Sequence, residues 1–154
     1  MNAFLVKPAG AGLIALLFVF GFFFVGLYAF VVLGLYLGLR RASAAFEATS
    51  EALLIGKRFG IDPTQLIDIL NVSTGRNFHS ELSMKDHVIG ERYAAGFLLA
   101  LAAKDVRIAA GLAAAMKIDA PMLKLSAAQL TAASEQLGPR ADVTEAIKAW
   151  DHQD

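Results

Sequence analysis

The pattern of apolar and polar positions divides the chain in two. No charged side chain occurs from residue 8 to residue 39, and residues 11–39 read AGLIALLFVFGFFFVGLYAFVVLGLYLGL. Charge returns with Arg40 and Arg41, and every Asp and Glu lies beyond residue 46. As a helix, residues 11–39 run roughly 40 Å at about 1.5 Å per residue. That exceeds the ~30 Å hydrocarbon core of a bilayer, so the run predicts a transmembrane-like helix that could span with tilt. Tyr28 and Tyr36 fall toward one interface. Lys7 and the terminal amine, set against Arg40, Arg41, Lys57 and Arg58, place the C-terminal part on the cytoplasmic side. A cleaved signal peptide fits poorly, because the run is too long and ends in no small-residue cleavage site.

From residue 42 the spacing becomes that of ordinary amphipathic helices. Residues 44–59 read as helix, continuous with what precedes, and Gly60 is a suitable terminator. Asp62 and Pro63 form an N-cap and first-turn proline that open a helix over 63–70, with Leu66, Ile67 and Leu70 inward. Residues 71–77, NVSTGRN, read as a polar turn. A short helix over 78–89 and a loop over 90–96 follow. Asp119, Ala120 and Pro121 begin a helix ending near Gly138 and Pro139, and Asp142 caps a last one over 143–150. No segment has a strand period, so the expected fold is all-α.

The longest soluble element predicted is residues 96–118, rich in Ala and Leu and free of proline. Phe97, Leu101, Ile108 and Leu112 share one face, while Leu98, Leu99, Val106 and Met116 cover much of the rest. Such a helix reads as central and buried. Lys104 falls in line with Phe97, Leu101 and Ile108, with Asp105 beside it. An ammonium on a buried stripe is costly unless it snorkels, pairs with Asp105 or faces a cleft. All three remain open at this point.

Composition adds mainly exclusions. A chain of 154 residues suits one domain of useful core size. Fourteen basic and fourteen acidic residues give zero formal charge, which speaks against nucleic acid as a partner. The absence of cysteine removes thiolate catalysis, disulfides and Cys-ligated metals. His79, His87 and His152 lack metal-ligand spacing, so no metal site is expected. Ser80 sits in no nucleophile elbow. Gly10, Gly12 and Ala15 spell G-x-G-x-x-A, which binds dinucleotide phosphates only between a strand and a helix. The sequon at Asn71, Val72 and Ser73 has meaning only on a luminal face.

Six short pieces in order carry a resemblance. They are residues 48–53 (ATSEAL), 59–63 (FGIDP), 69–76 (ILNVSTGR), then Gly96 and Phe97 with Leu101, Lys104 and Asp105, then 119–122 (DAPM) and 142–144 (DVT). Together they resemble the C-terminal helical domain of the β-hydroxyacid dehydrogenases, the 3-hydroxyisobutyrate and 6-phosphogluconate dehydrogenase-like group, over about residues 42–154. The resemblance implies a cleft-forming, dimerising domain that follows a Rossmann domain in enzymes moving hydride between NAD or NADP and a 3-hydroxy acid. It implies that Lys104, in the F-x(6)-K-D segment, reaches the nicotinamide cofactor and that Phe97 packs near the same cleft. By family the location is cytoplasmic; with a genuine N-terminal helix it is the inner membrane, with the helical domain on the cytoplasmic side.

One departure is specific. The family's catalytic lysine lies in G-x-x-K-x-x-N-N, which in register falls with Leu35 at the lysine and Gly38 and Leu39 at the asparagines. A leucine cannot transfer a proton. No catalytic residue is therefore assigned, and the chain alone is expected not to catalyse. Three readings follow. Residues 1–41 are a spurious, frame-shifted start to a dehydrogenase fragment; or they anchor a helical self-association or docking module in a membrane; or the domain is an inactive binder of nucleotide through Lys104.

Overall fold

The computed structural model describes residues 9–151, with side chains described at 17–31, 34, 38 and 41–151. Its described residues are helical, with no strand beyond one isolated antiparallel bridge between Leu98 and Asp142. The all-α expectation holds. Helix α1 (Ala9–Arg58) carries the apolar run and continues past it. The chain divides between residues 35 and 36 into two compact units.

In the first unit every described side chain over 17–31 is exposed, from Leu27 at 48% to Phe22 at 86%. Among the described residues, however, no helix is long and apolar enough to cross a membrane. The spanning helix expected over 11–39 is thus not supported there.

The second unit is built as its punctuation predicts. Gly60, at φ +80°, ends α1, and the Ile61 N–H bonds the Gly56 carbonyl at 2.9 Å. A Cβ at Gly60 would disfavour that left-handed conformation. Asp62 caps α2 (Pro63–Asn71) by accepting from the Gln65 N–H at 2.9 Å. Asn77 caps α3 (Phe78–Leu82), accepting from the N–H groups of His79 and Ser80. The single helix expected over 78–89 is in fact two pieces, α3 and a π-helix, Met84–Ile89. The Gly90 N–H closes the wider turn on the Lys85 carbonyl at 2.9 Å.

Helix α4 (Leu99–Ala115) is shorter at both ends than the sequence suggests. Gly96 takes φ +84° and residues 97 and 98 run alongside 141–143, while Lys117 at φ +58° turns the chain after the last turn. Helix α5 (Pro121–Leu137) ends at Gly138, φ +92°. A 3-10 turn, Val143–Glu145, leads into α6 (Ala146–Trp150).

The core brings together Phe46 and Leu53 of α1, Ile67 of α2, Met84 and Val88 of the π-helix, Leu99 and Val106 of α4, Leu123 and Leu130 of α5 and Ile147 of α6. The face of α4 that enters it corrects the expectation. Leu99, Ala102, Ala103, Val106 and Ala109 are buried, whereas Phe97, Leu101, Ile108 and Leu112 are each about two-fifths exposed. The stripe read as inward points outward. Small side chains go with the buried face: Ala102, Ala103 and Ala109 of α4 are buried, as are Ala127 and Ala133 of α5, the helix that α4 packs against. Close approach of two helices favours alanine over leucine at the contact.

Candidate functional site

Lys104 lies on the outward face of α4. Its side chain is 51% exposed, and its ammonium stands 3.2 Å from the Asp105 carboxylate, itself 17% exposed. Two of the three open alternatives, an Asp105 pair and a head group in water, hold together here. An exposed pair between neighbours contributes little to stability, so the ammonium can exchange Asp105 for another anion at small cost.

Phe97 is held differently from the single-helix expectation. It precedes the N-cap of α4, Leu98, and so does not share the helical register of Lys104. The Asp142 carboxylate accepts from the Gly96 N–H at 2.8 Å and the Phe97 N–H at 3.3 Å. The Phe97 carbonyl in turn accepts from the Val143 N–H at 2.7 Å. The other Asp142 oxygen accepts from the Thr144 N–H at 3.0 Å, and the Glu145 carboxylate accepts from the Asp142 N–H at 3.0 Å. Burial raises the Asp142 pKa, but hydrogen bonds from the Thr144 hydroxyl and from the Thr144, Gly96 and Ala95 backbone outweigh it and hold the carboxyl below its ordinary range.

So fixed, Phe97 lines a cavity of about 270 Å³ together with Ser43, Phe46, His79 and Ser83. Lys104 is not among its lining residues. His79 is wedged edge-on between Phe46 and Phe78, at ring-centroid distances of 5.2 and 5.3 Å, with Nδ1 3.3 Å from the Ser83 hydroxyl. Burial pushes its pKa below the ordinary histidine value, against a weaker opposing bond to the Ala42 backbone. This is a packed imidazole, held between two rings.

Among the described residues no group of three or more His, Asp or Glu side chains is placed to hold a metal ion. His152 lies outside the described residues. Residues 10–15, with the G-x-G-x-x-A spelling, are inside α1 rather than after a strand. Leu35, Gly38 and Leu39 also belong to α1.

Two groups escaped the sequence reading. Asp142 was legible as a helix cap, but not as the clamp on residues 96 and 97, forty-odd positions away. Glu47 was not singled out at all. It is 6% exposed, its Oε2 accepts from the Ser126 hydroxyl of α5, and its Oε1 has no partner. The available signal was its helical spacing to Ser43, Ser50 and Leu54, a polar-apolar mixture that periodicity alone does not resolve.

The structure thus presents Lys104 outward on α4 and fixes Phe97 just before that helix. Residues 42–150 match the family described as NAD-binding of NADP-dependent 3-hydroxyisobutyrate dehydrogenase. The chain belongs to that family. It is 30% identical over 122 residues to the 2-(hydroxymethyl)glutarate dehydrogenase of Eubacterium barkeri, which covers 79% of this chain and 38% of that enzyme. Its fold is similar to that of the Mycobacterium tuberculosis 3-hydroxyisobutyrate dehydrogenase (TM-score 0.69, 18% identity, 77% of this chain and 43% of that one). It is also similar to the Salmonella typhimurium 3-hydroxyisobutyrate dehydrogenase (TM-score 0.68, 22% identity, 74% and 40%). The chain therefore spans well under half the length of these relatives. The resemblance read from six short pieces is upheld at the level of the family, as is NAD(P) as the family's cofactor.

Proposed function

We propose that the helical domain is the cleft-forming and dimerising C-terminal half of an NAD(P)-dependent 3-hydroxyacid dehydrogenase. The family match over residues 42–150, with Lys104 presented outward on α4, carries this reading. The nicotinamide, when bound, supplies hydride exchange at the hydroxyl-bearing carbon. The residues present fit that group in part. The Lys104 ammonium offers a mobile cation to a phosphate or carboxamide oxygen, and Phe97, 37% exposed, offers a fixed apolar surface. The part-exposed Leu101, Ile108 and Leu112 of α4 and the exposed Met122 and Leu125 of α5 are the side chains we assign to self-association. A cytoplasmic location goes with this reading.

Leu35 stands where the family's lysine acts, so the chain by itself holds and positions but does not move the proton that turnover needs. This reading treats residues 1–41 as foreign to the enzyme. Sequencing the genomic DNA across codons 35–48 and upstream tests that point: G-x-x-K-x-x-N-N in another frame supports it, and an intact frame without that motif counts against it. The cofactor role is tested by titrating the chain with NADH and NADPH while following nucleotide fluorescence. Saturable binding that Lys104→Met weakens, with no oxidation of 3-hydroxyisobutyrate, is the expected result. Turnover by the chain, or binding indifferent to Lys104, overturns it.

A second reading rests on the exposed apolar side chains of residues 17–31. They surround the helix on all sides, whereas one protein partner covers a single face. Lipid, through residues 11–39, is the medium that suits such a surface, with Arg40 and Arg41 at its edge, the helical domain serving as a docking module at the inner membrane. Retention in the membrane pellet after an alkaline carbonate wash supports this reading. Release into the supernatant excludes it.

A further inference from the structure

A second cavity of the helical domain, about 270 Å³, is not part of the Phe97 and Lys104 surface. Its apolar side is Leu53 of α1, Val88 of the π-helix and Ile147 of α6, and its rim carries Lys57, Glu91, Tyr93, Lys148 and Asp151. The wall from the π-helix to Tyr93 has an unusual backbone. Gly90 tolerates no side chain, since a Cβ would lie 2.8 Å from the Asp86 carbonyl oxygen. Glu91 and Tyr93 both adopt positive φ, 54° and 45°. Such conformations disfavour side-chain-bearing residues and cluster where a wall must hold its shape for a ligand.

The rim charges are not equally available. Lys148 sits 3.6 Å above the Tyr93 ring and 2.9 Å from the Glu145 carboxylate, and Asp151 pairs with Arg58 at 3.3 Å. Among the described residues, the side chains of Lys57 and Glu91 have no ion-pair partner. The cavity therefore presents one uncommitted cation and one uncommitted anion over an apolar floor. A simple anion would meet Glu91 and Asp151, and a simple cation would meet Lys57 and Lys148. A zwitterion meets neither penalty. The volume is many times the ~30 Å³ share of one water molecule and suits a single amino-acid-sized molecule.

We propose that this cavity binds a free α-amino acid with an apolar side chain. Lys57 takes its carboxylate, Glu91 its ammonium, and Leu53, Val88 and Ile147 its side chain. The proposal is independent of the dehydrogenase reading, because no residue is shared with that surface.

The test is calorimetric titration of the full chain with L-leucine as probe, beside 4-methylpentanoate, which lacks the ammonium, and isoamylamine, which lacks the carboxylate. Leucine is expected to bind saturably, and each analogue to bind about tenfold or more weakly. Lys57→Gln and Glu91→Gln should each weaken leucine binding by a similar factor without shifting the thermal midpoint. Glu91→Gly, which accepts the positive φ, should do the same and serves if Glu91→Gln folds poorly. Absence of leucine binding, equal binding of either analogue, or leucine binding unchanged in the Lys57 or Glu91 variants overturns the proposal.

Discussion

The Asp142 carboxylate joins two segments that are distant in sequence. One oxygen caps the turn before α6, and the other holds the backbone at Gly96 and Phe97. Losing an N-cap costs about 0.5–2 kcal/mol, and losing a hydrogen bond to a charged group costs about 1.5–3 kcal/mol. Asp142→Ala should therefore destabilise the domain by roughly 2–4 kcal/mol, read as a lower urea midpoint. Because the carboxyl pKa is lowered in the fold, its stabilisation is complete above the ordinary aspartate value, 3.8. It is lost as pH falls through the lower folded value, so the gap between Asp142→Ala and the parent should close in strong acid.

Glu47 behaves in the opposite sense. Burial raises its pKa, against the hydrogen bond from Ser126, and the nearby Glu51 charge raises it further. The unfolded chain ionises first, near 4.5, so the fold loses stability as pH rises from there through the raised folded value. Glu47→Gln keeps the shape and can still accept from Ser126 but cannot ionise. Urea unfolding should show it more stable than the parent above neutrality, with the advantage vanishing below the ordinary glutamate pKa. A difference independent of pH would refute this assignment.

At the level of elements, α4 was legible in existence and wrong in orientation. Its sequence is apolar nearly all round, so periodicity could not select between the leucine-rich and alanine-rich faces. The buried seam of α4, which packs against α5, took the alanine-rich face and left Leu101 and Ile108 part-exposed. Ala103→Leu should then overpack that seam and cost about 1–3 kcal/mol, whereas Leu101→Ala, on the open face, should cost under about 1 kcal/mol in the isolated chain. Equal penalties in chemical denaturation would restore the orientation read from the sequence. The caps Asp62, with Pro63, and Asp142 were more legible, since each acts within a few residues of itself, whereas Asn77 was read only as part of a polar turn. The π-helix was not legible, for its ladder is set by a carbonyl five residues back and leaves no pattern in the side chains.

For the whole molecule, the division between residues 35 and 36 separates an exposed apolar helix stretch from a unit with its own core. The core residues from Phe46 to Ile147 all belong to the second unit. Residues 36–154 on their own should accordingly unfold cooperatively, with coincident circular dichroism and tryptophan transitions reported by Trp150. Non-coincident transitions would mean that the core depends on the first unit. The family was legible because its marks are short local pieces: FGIDP, NVSTGR, the F-x(6)-K-D spacing. These are turns, caps and helix starts, which local chemistry dictates.

What the sequence alone determined was the inventory: an all-helical domain, most of its caps and turns, and its family. These follow from short-range rules, in which a proline, a glycine or a capping aspartate acts on its own few residues. Only the tertiary structure decided which face of α4 is buried, that Lys104 points outward beside Asp105, and that Asp142 clamps Phe97. The buried carboxyl of Glu47 against Ser126, and the gathering of Lys57, Glu91 and Lys148 around one cavity, were settled there too. Each depends on which distant segment comes within contact distance, and close packing settles that through volumes and desolvation summed over the whole core.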